Sequence, residues 1–167
     1  MHRGDYFVRP ATLADEPAVT RVLSQSYPTL LAAHYDPRLL ERALPMMTRA
    51  NPRLLRSGTY YVACDANGNV LGCGGWTPER PGTGALEPSL GHLRHFAVDP
   101  AATRRGIGRE LLSHAIHEAD ARGFPRLECF ATLSAEAFYR SAGFATIRNV
   151  DVDMGGVAFP SLLMRRA

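Results

Sequence analysis

The sequence contains few cysteines, and their number is odd. Cys64, Cys73 and Cys129 are widely spaced and lie in apolar, strand-like segments, which is typical of reduced thiols in a cytosolic protein rather than of a disulfide framework. A cysteine nucleophile would need a neighbouring base and a partly exposed, electropositive site, and the sequence indicates neither. We therefore expect three buried structural cysteines and a cytoplasmic localisation.

Features that mark several other classes of protein are missing as well. No apolar run approaches the roughly 20 residues that span a bilayer, and no signal peptide leads the chain. The six histidines show no paired metal-ligand spacing, and the 19 basic residues are scattered rather than gathered in one run. We therefore expect no membrane partner, no metal and no nucleic-acid partner.

The composition is that of one folded domain. The 167 residues are enough to bury a core, their hydrophobic content of 46% argues against disorder, and no internal repeat divides them. The sequence therefore predicts a single domain over residues 1–167. Its formal net charge of +3 favours an anionic ligand.

Periodicity and turn signals predict a mixed α+β fold. Thr12 and Asp15 have the spacing of a capping box, which predicts a helix from about residue 13 to 25, and Asp36 opens a second helix over about 37–50. A glycine- and proline-rich loop is expected over 78–88. Antiparallel hairpins around one strand–helix–strand crossover predict a mixed, mostly antiparallel sheet of about seven strands flanked by helices. The strands are expected at 6–9, 59–64, 70–76, 90–98, 126–131, 145–153 and 157–164.

The most informative stretch joins a strand to a helix through a basic glycine turn. The strand over 90–98 ends at Asp99 and Pro100, and the turn over 104–109, Arg-Arg-Gly-Ile-Gly-Arg, leads into an amphipathic helix that Gly123 closes. Free backbone N–H groups at a helix N-terminus suit a pyrophosphate or another small polyanion. The alternative is a tight turn whose arginines are solvated. The Walker and dinucleotide-binding patterns are absent.

A second motif carries a resemblance to a known family. Residues 137–144, Ala-Phe-Tyr-Arg-Ser-Ala-Gly-Phe, predict a short helix closed by glycine. Together with Phe-Ala-Val-Asp-Pro at 96–100 and the turn at 104–109, this segment resembles the GNAT superfamily of acetyl-CoA-dependent N-acetyltransferases. The start of the chain, 8–15, is similar to the family's first strand and helix. The resemblance implies a sheet whose fourth and fifth strands splay apart and hold acetyl-CoA between them.

The resemblance also implies which residues bind the cofactor. The backbone of Phe96, Ala97 and Val98 would hold the pantetheine arm like an added strand. The turn would cradle the phosphates through Arg104, Arg105, Gly106, Ile107, Gly108 and Arg109.

Two positions depart from the family pattern. Thr103 stands where glutamine or arginine is usual, and Thr132 stands where an asparagine commonly contacts the cofactor arm. Because backbone amides make most of the phosphate contacts, these changes concern affinity and individual contacts more than activity.

The implied reaction is direct attack of a neutral amine on the thioester, through a tetrahedral oxyanion that the Val98 N–H would stabilise. Tyr139 matches the family's tyrosine and is the expected general acid, because a phenol with a pKa near 10 stays protonated at pH 7. The alternative is a packed aromatic residue. Phe138 beside it is expected to pack, against the pantetheine arm or within the protein.

The expected base is His92, which lies six residues before Val98 and shares its face in a regular strand. The alternative is an exposed strand histidine, with His95 on the opposite face. Glu87 is a weaker candidate for the base.

The acceptor site is expected near the segment between the first two helices, with Tyr27, His34, Tyr35 and Trp76 beside the loop over 78–88. The acceptor stays open among a small-molecule amine, an amino acid and a peptide N-terminus. The alternatives are a non-catalytic acyl-CoA-binding sensor and an acyltransferase with a hydroxyl acceptor or a longer acyl donor. A homodimer is one option for the assembly.

Overall fold

Residues 5–167, the part of the chain that the computed structural model describes, contain five α-helices, three short 3-10 helices and seven strands. The helices are α1 (Glu16–Leu31), α2 (Pro37–Met47), α3 (Pro52–Arg56), α4 (Ile107–Ala121) and α5 (Glu136–Arg140). The strands are β1 (Tyr6–Pro10), β2 (Tyr60–Asp65), β3 (Val70–Thr77), β4 (Leu90–Val98), β5 (Arg126–Thr132), β6 (Ala145–Asp153) and β7 (Ala158–Arg166).

The seven strands form one sheet in the order β1-β2-β3-β4-β5-β7-β6. Only β4 and β5 run parallel, because α4 carries the chain back across the sheet between them. The other neighbouring strands are antiparallel. The mixed, mostly antiparallel sheet expected from the sequence is therefore confirmed.

Helices pack on both faces of this sheet, and each face has its own hydrophobic core. On one side, the α4 face, Leu111 and Leu112 of the helix pack with Trp76, Leu93 and Leu127 of the strands. On the other side, the α1 face, buried residues of α1–α3 pack against alternate residues of β2 and β3. Because side chains alternate along a strand, the two cores show which face each strand residue occupies.

The local signals at the start of the chain act as expected. Asp15 accepts a hydrogen bond from the Thr12 N–H at 2.8 Å, and the capping box is complete. Helix α1 continues to Leu31 through Pro28, beyond the predicted end near residue 25, because Tyr27 and Leu31 are buried in the core. Helix α3 was not predicted, although Asn51 caps it.

The three cysteines are free and buried, as expected. Burial raises the pKa of Cys73 to about 11 and also raises the pKa values of Cys64 and Cys129. At neutral pH all three are therefore protonated thiols. Within residues 5–167, no helix has the length and apolar character needed to cross a membrane.

Candidate functional site between strands β4 and β5

The parallel strands β4 and β5 separate part-way along their length. They pair only at Leu90↔Arg126, Gly91↔Leu127 and His92↔Glu128. Beyond that point β4 stays paired with β3 and β5 stays paired with β7, each on its outer side. Within the described chain, a gap therefore opens between the carboxyl ends of the two strands, as the family resemblance implied.

A bulge in β4 shapes one wall of this gap. The register with β3 slips by one residue, so that His95 and Phe96 both lie opposite Gly74. His95 has a φ of 58°, in the left-handed region. A Cβ atom at position 74 would overlap the Phe96 ring, so only glycine fits there.

Three side chains on the α1 face hold the bulge, and we call them the bulge clamp: Tyr27, Tyr60 and His95. The Tyr60 hydroxyl donates to the His95 carbonyl at 2.8 Å, and the Tyr27 hydroxyl donates to the Phe96 carbonyl at 3.0 Å. His95 Nε2 lies 2.8 Å from the Met47 carbonyl. Because a carbonyl only accepts, this nitrogen carries a proton, and burial lowers the pKa of His95, which keeps the ring neutral.

Beyond the bulge, alternate backbone N–H groups of β4 point into the gap. The Asp99 N–H donates to the Leu71 carbonyl at 2.8 Å, so at this position the chain turns its donor towards β3. Because donors alternate along a strand, the preceding N–H of Val98 points towards β5 and into the gap. This orientation suits the oxyanion role expected of Val98, which stays a prediction.

The glycine turn lies at the N-terminus of α4. Gly106 is the helix N-cap with a φ of 78°, and Arg104 also has a positive φ of 67°. Two left-handed residues within three positions direct backbone N–H groups towards one spot, next to the positive end of α4. The exposed side chains of Arg104 and Arg109 make no ion pair within residues 5–167. This arrangement can bind a phosphate group.

The remaining residues of the turn and Thr103 before it differ in what they contact. The Ile107 side chain is buried in the core on the α4 face, so only its backbone is available to a ligand. A Cβ atom at Gly108 would lie 3.4 Å from both Phe138 and Val98, which places this glycine under the end of the gap. Arg105 lies over the Tyr6 ring at 5.9 Å. The Thr103 hydroxyl donates to the Pro100 carbonyl at 3.2 Å, a local contact.

Helix α5 brings aromatic side chains to the gap. The Tyr139 ring lies 6.3 Å from Phe96, 5.1 Å from Phe138 and 5.8 Å from Phe144. Burial raises the pKa of Tyr139 well above its usual value, so the phenol keeps its proton throughout the physiological range. The packed and the catalytic interpretations of Tyr139 are therefore compatible, and its role as acid stays a prediction.

His92 lies in a buried cluster at the closed end of the gap. Its Nδ1 is 3.3 Å from Glu128 Oε1 but lacks a hydrogen bond there. Glu128 also binds Arg165 at 2.8 Å and lies 3.5 Å from Arg80. Burial lowers the pKa of His92, and the Glu128 carboxylate only partly offsets this effect. The imidazole is therefore neutral at pH 7, as a base must be.

The structure corrects the expected directions of the histidines. His92 is 3% exposed, so the exposed alternative is wrong. His92 lies on the α1 face with Glu128, whereas Val98 lies on the α4 face against Gly108. His95 also points to the α1 face, towards Met47. The bulge adds one residue between these positions and reverses the alternation, so the predicted shared face of His92 and Val98 is wrong.

The residues expected at the acceptor site differ in how available they are to contact an acceptor. Trp76 is buried on the α4 face and packs against Phe124, so it lies on the opposite face of the sheet from His92. The Tyr35 hydroxyl donates to the Pro160 carbonyl at 2.7 Å and accepts from the Leu133 N–H at 2.8 Å, so it joins segments of the fold. His34 is exposed and lies 3.0 Å from Ser134.

The weaker candidate for the base and the second departure from the family pattern lie at opposite ends of the gap. Glu87 precedes β4 and lies 3.8 Å from Arg126, near the closed end. Thr132 ends β5 beside the open end of the gap.

Sequence reasoning missed Glu128 and the joint role of the three residues of the bulge clamp. Glu128 stands between apolar neighbours in a strand, and a charged residue in that position is a signal of a buried ionic cluster. The bulge clamp had no comparable signal, because its members come from α1, β2 and β4.

Comparisons with known proteins agree with this geometry. The model of the acetyltransferase (GNAT) family matches residues 18–144. The chain belongs to this family. The acyl-CoA N-acetyltransferase class and the acetyl-CoA donor expected from the sequence are confirmed at the level of the family.

Three relatives of this GNAT chain combine either high identity with a short matched segment or full or nearly full coverage with low identity. A [ribosomal protein bS18]-alanine N-acetyltransferase of Salmonella typhimurium is 49% identical over 61 residues, which are 34% of this chain and 41% of that protein. A GCN5-related N-acetyltransferase from Rhodopseudomonas palustris has a TM-score of 0.80 at 20% identity, covering 100% of this chain and 98% of the other. The PaiA N-acetyltransferase of Thermoplasma acidophilum, solved with coenzyme A, has a TM-score of 0.71 at 16% identity and covers 96% and 98%.

Proposed function

We propose that residues 1–167 form a single catalytic domain that transfers the acetyl group of acetyl-CoA directly to an amine. The observation that carries this proposal is the gap between β4 and β5, which opens beside the glycine turn at the N-terminus of α4. A pantetheine arm in this gap would take hydrogen bonds from the free inner edge of β4. Its pyrophosphate would then lie on the turn.

The described residues fit this donor in shape and charge. A Cβ atom at Gly108 would already be in van der Waals contact with Phe138 and Val98, so a residue larger than alanine would crowd both side chains at the end of the gap. The turn adds the unpaired Arg104 and Arg109 to the backbone donors of the helix end. The backbone of Phe96, Ala97 and Val98 would hold the arm.

The bound donor supplies an activated acyl carbonyl, and the protein supplies the proton transfers. An amine with a pKa near 10.4 is mostly protonated at pH 7 and must lose a proton before it attacks. His92, neutral and next to Glu128, would take this proton through water. The Val98 N–H would stabilise the oxyanion, and Tyr139 would donate its proton to the departing thiolate. The tyrosinate would then regain a proton from the former amine nitrogen, which loses its positive charge as the amide forms.

We propose a peptide N-terminus as the first acceptor to test. The Salmonella relative is named for acetylating an alanine of a ribosomal protein, and its match to this chain has 49% identity over 61 residues. Small-molecule amines and amino acids are the other members of the acceptor panel.

A calorimetric titration with acetyl-CoA, followed by a thiol-release assay on the same samples, tests the proposal. The panel contains alanine-initiated peptides, free amino acids, a simple alkylamine and an alcohol. We expect saturable binding and thiol release that depends on an amine. All 19 basic residues of the chain are arginine, so no lysine side chain of the enzyme can take the acetyl group. Binding without release from any acceptor would favour a sensor and contradict the proposed transfer.

A further inference from the structure

A cavity of about 620 Å³ lies on the α1 face of the sheet, next to the gap. Its walls come from the loop after β3, through Arg80 and Pro81, and from β5 and β6, through Phe130 and Arg148. Phe130 belongs to the α1 face because its neighbours Cys129 and Ala131 pack on the α4 face.

The cavity borders the closed end of the gap through Arg80 and Phe130. Phe130 follows Glu128, the last residue of β5 that pairs with β4, so Phe130 also borders the gap. The Arg80 guanidinium lies 5.6 Å from the centre of the Phe130 ring and 3.5 Å from Glu128. Glu128 in turn contacts His92 at 3.3 Å. A molecule in the cavity could therefore direct one end towards the gap.

The lining of the cavity has a net positive charge, because Arg80 and Arg148 outnumber its one carboxylate residue, Asp151. Arg148 is exposed and has neither an ion pair nor a hydrogen bond within residues 5–167. It pairs with Leu163 of β7, and strand alternation places it on the opposite face from Asp151, the carboxylate residue of the lining. Arg80 faces Glu128, a carboxylate that it shares with Arg165. Arg148 is thus the cation of the cavity that is free to bind an anion.

We propose that this cavity binds a carboxylate group of the acceptor, so that the preferred substrates are amines that also carry a carboxylate. Arg148 would pair with the carboxylate, with Arg80 beside it, and Phe130 would contact the carbon chain. The amine would then point to the gap. The same charges disfavour polyamines, which bring only positive charge. This inference rests on the proposed acetyl transfer.

Matched acceptor pairs test the inference. Glycylglycine against glycylglycinamide, and β-alanine against β-alaninamide, differ in the charge of one group and hardly in size, and neither amide carries another carboxylate. A guanidinium–carboxylate contact is a charge-assisted pair, so we expect kcat/KM for each acid to exceed that of its amide by about tenfold or more. In Arg148→Gln this preference should fall to within about twofold, through KM, while kcat/KM for the amides stays unchanged.

The control variant is Arg56→Gln, which removes another exposed arginine, at the end of α3 and outside the cavity. It should retain the preference for acids. Equal rates for acids and amides in the wild type, or an equal loss for both in Arg148→Gln, would overturn the inference and leave the transferase intact. Efficient acetylation of spermidine would overturn it as well. No transfer to any acceptor would contradict the proposed function itself.

Discussion

Substitution of Gly106 by aspartate tests the pyrophosphate site in the most specific way. Gly106 has a φ of 78° at the N-cap of α4, where its backbone would approach the phosphates. A carboxylate about 4 Å from a phosphate charge repels it by about 1 kcal/mol in water and by about 4 kcal/mol at an effective dielectric constant of 20. We therefore expect Gly106→Asp to weaken coenzyme A binding by between about fivefold and a thousandfold.

The matched control is Gly123→Asp at the other end of the same helix. Gly123 also has a positive φ, 90°, and a Cβ atom there would meet open space. Both variants thus place an aspartate in left-handed backbone, at a similar cost of about 1 kcal/mol in folding free energy. Urea unfolding checks that both are folded, and calorimetry gives the Kd of coenzyme A. If Gly106→Asp bound coenzyme A within twofold of Gly123→Asp, the assignment of the pyrophosphate to this turn would be wrong.

Further predictions concern the proposed catalytic residues and the bulge clamp. Tyr139→Phe should lower kcat at least about tenfold while the Kd of acetyl-CoA stays unchanged, since only the proton donor is lost; an unchanged kcat refutes the acid role. The wild-type kcat should fall at acid pH with a midpoint below the usual histidine pKa, because burial lowers the pKa of His92 and protonation removes the base. His92→Gln, assayed on the same acceptor, should have a lower kcat without that fall, and an identical acid limb in both proteins would contradict the assignment. Tyr60→Phe leaves the partly buried His95 carbonyl without its 2.8 Å donor and should lower the free energy of unfolding by about 1–3 kcal/mol in urea titrations. A loss below about 0.5 kcal/mol would argue against the clamp.

Local signals predicted the elements that carry the donor site. The glycine turn, the helix after it and the short helix with Tyr139 are each specified within a few residues by glycine positions and apolar periodicity. The capping box at Thr12 is equally local. These parts could be placed from the sequence because neighbouring residues determine them.

The direction of side chains around the gap could not be predicted in the same way. The β4 bulge depends on Tyr27 and Tyr60, which are far from His95 in sequence and reach its backbone only in the folded chain. One inserted residue then reverses the faces on which His92 and Val98 lie. Alternation is reliable only within a regular strand, and nothing local marks where this strand stops being regular.

Helix α3 shows a local signal that was overlooked. Asn51 accepts a hydrogen bond from the Arg53 N–H at 2.9 Å, and Pro52 occupies the first turn, both of which favour a helix start. Its five residues are too few for a clear periodicity. The buried Leu54 and Leu55, which pack into the core of the α1 face, stabilise it instead.

The proposed residue roles all depend on transfer of an acetyl group from acetyl-CoA to a nitrogen atom. Mass spectrometry of an alanine-initiated peptide and a set of carboxylate-bearing amines, each incubated with enzyme and acetyl-CoA, tests it most directly. We predict products heavier by one acetyl group, with fragmentation that places the group on the amine, and none without enzyme. Free acetate with no acetylated amine, or acetyl groups found on hydroxyls alone, would contradict the account.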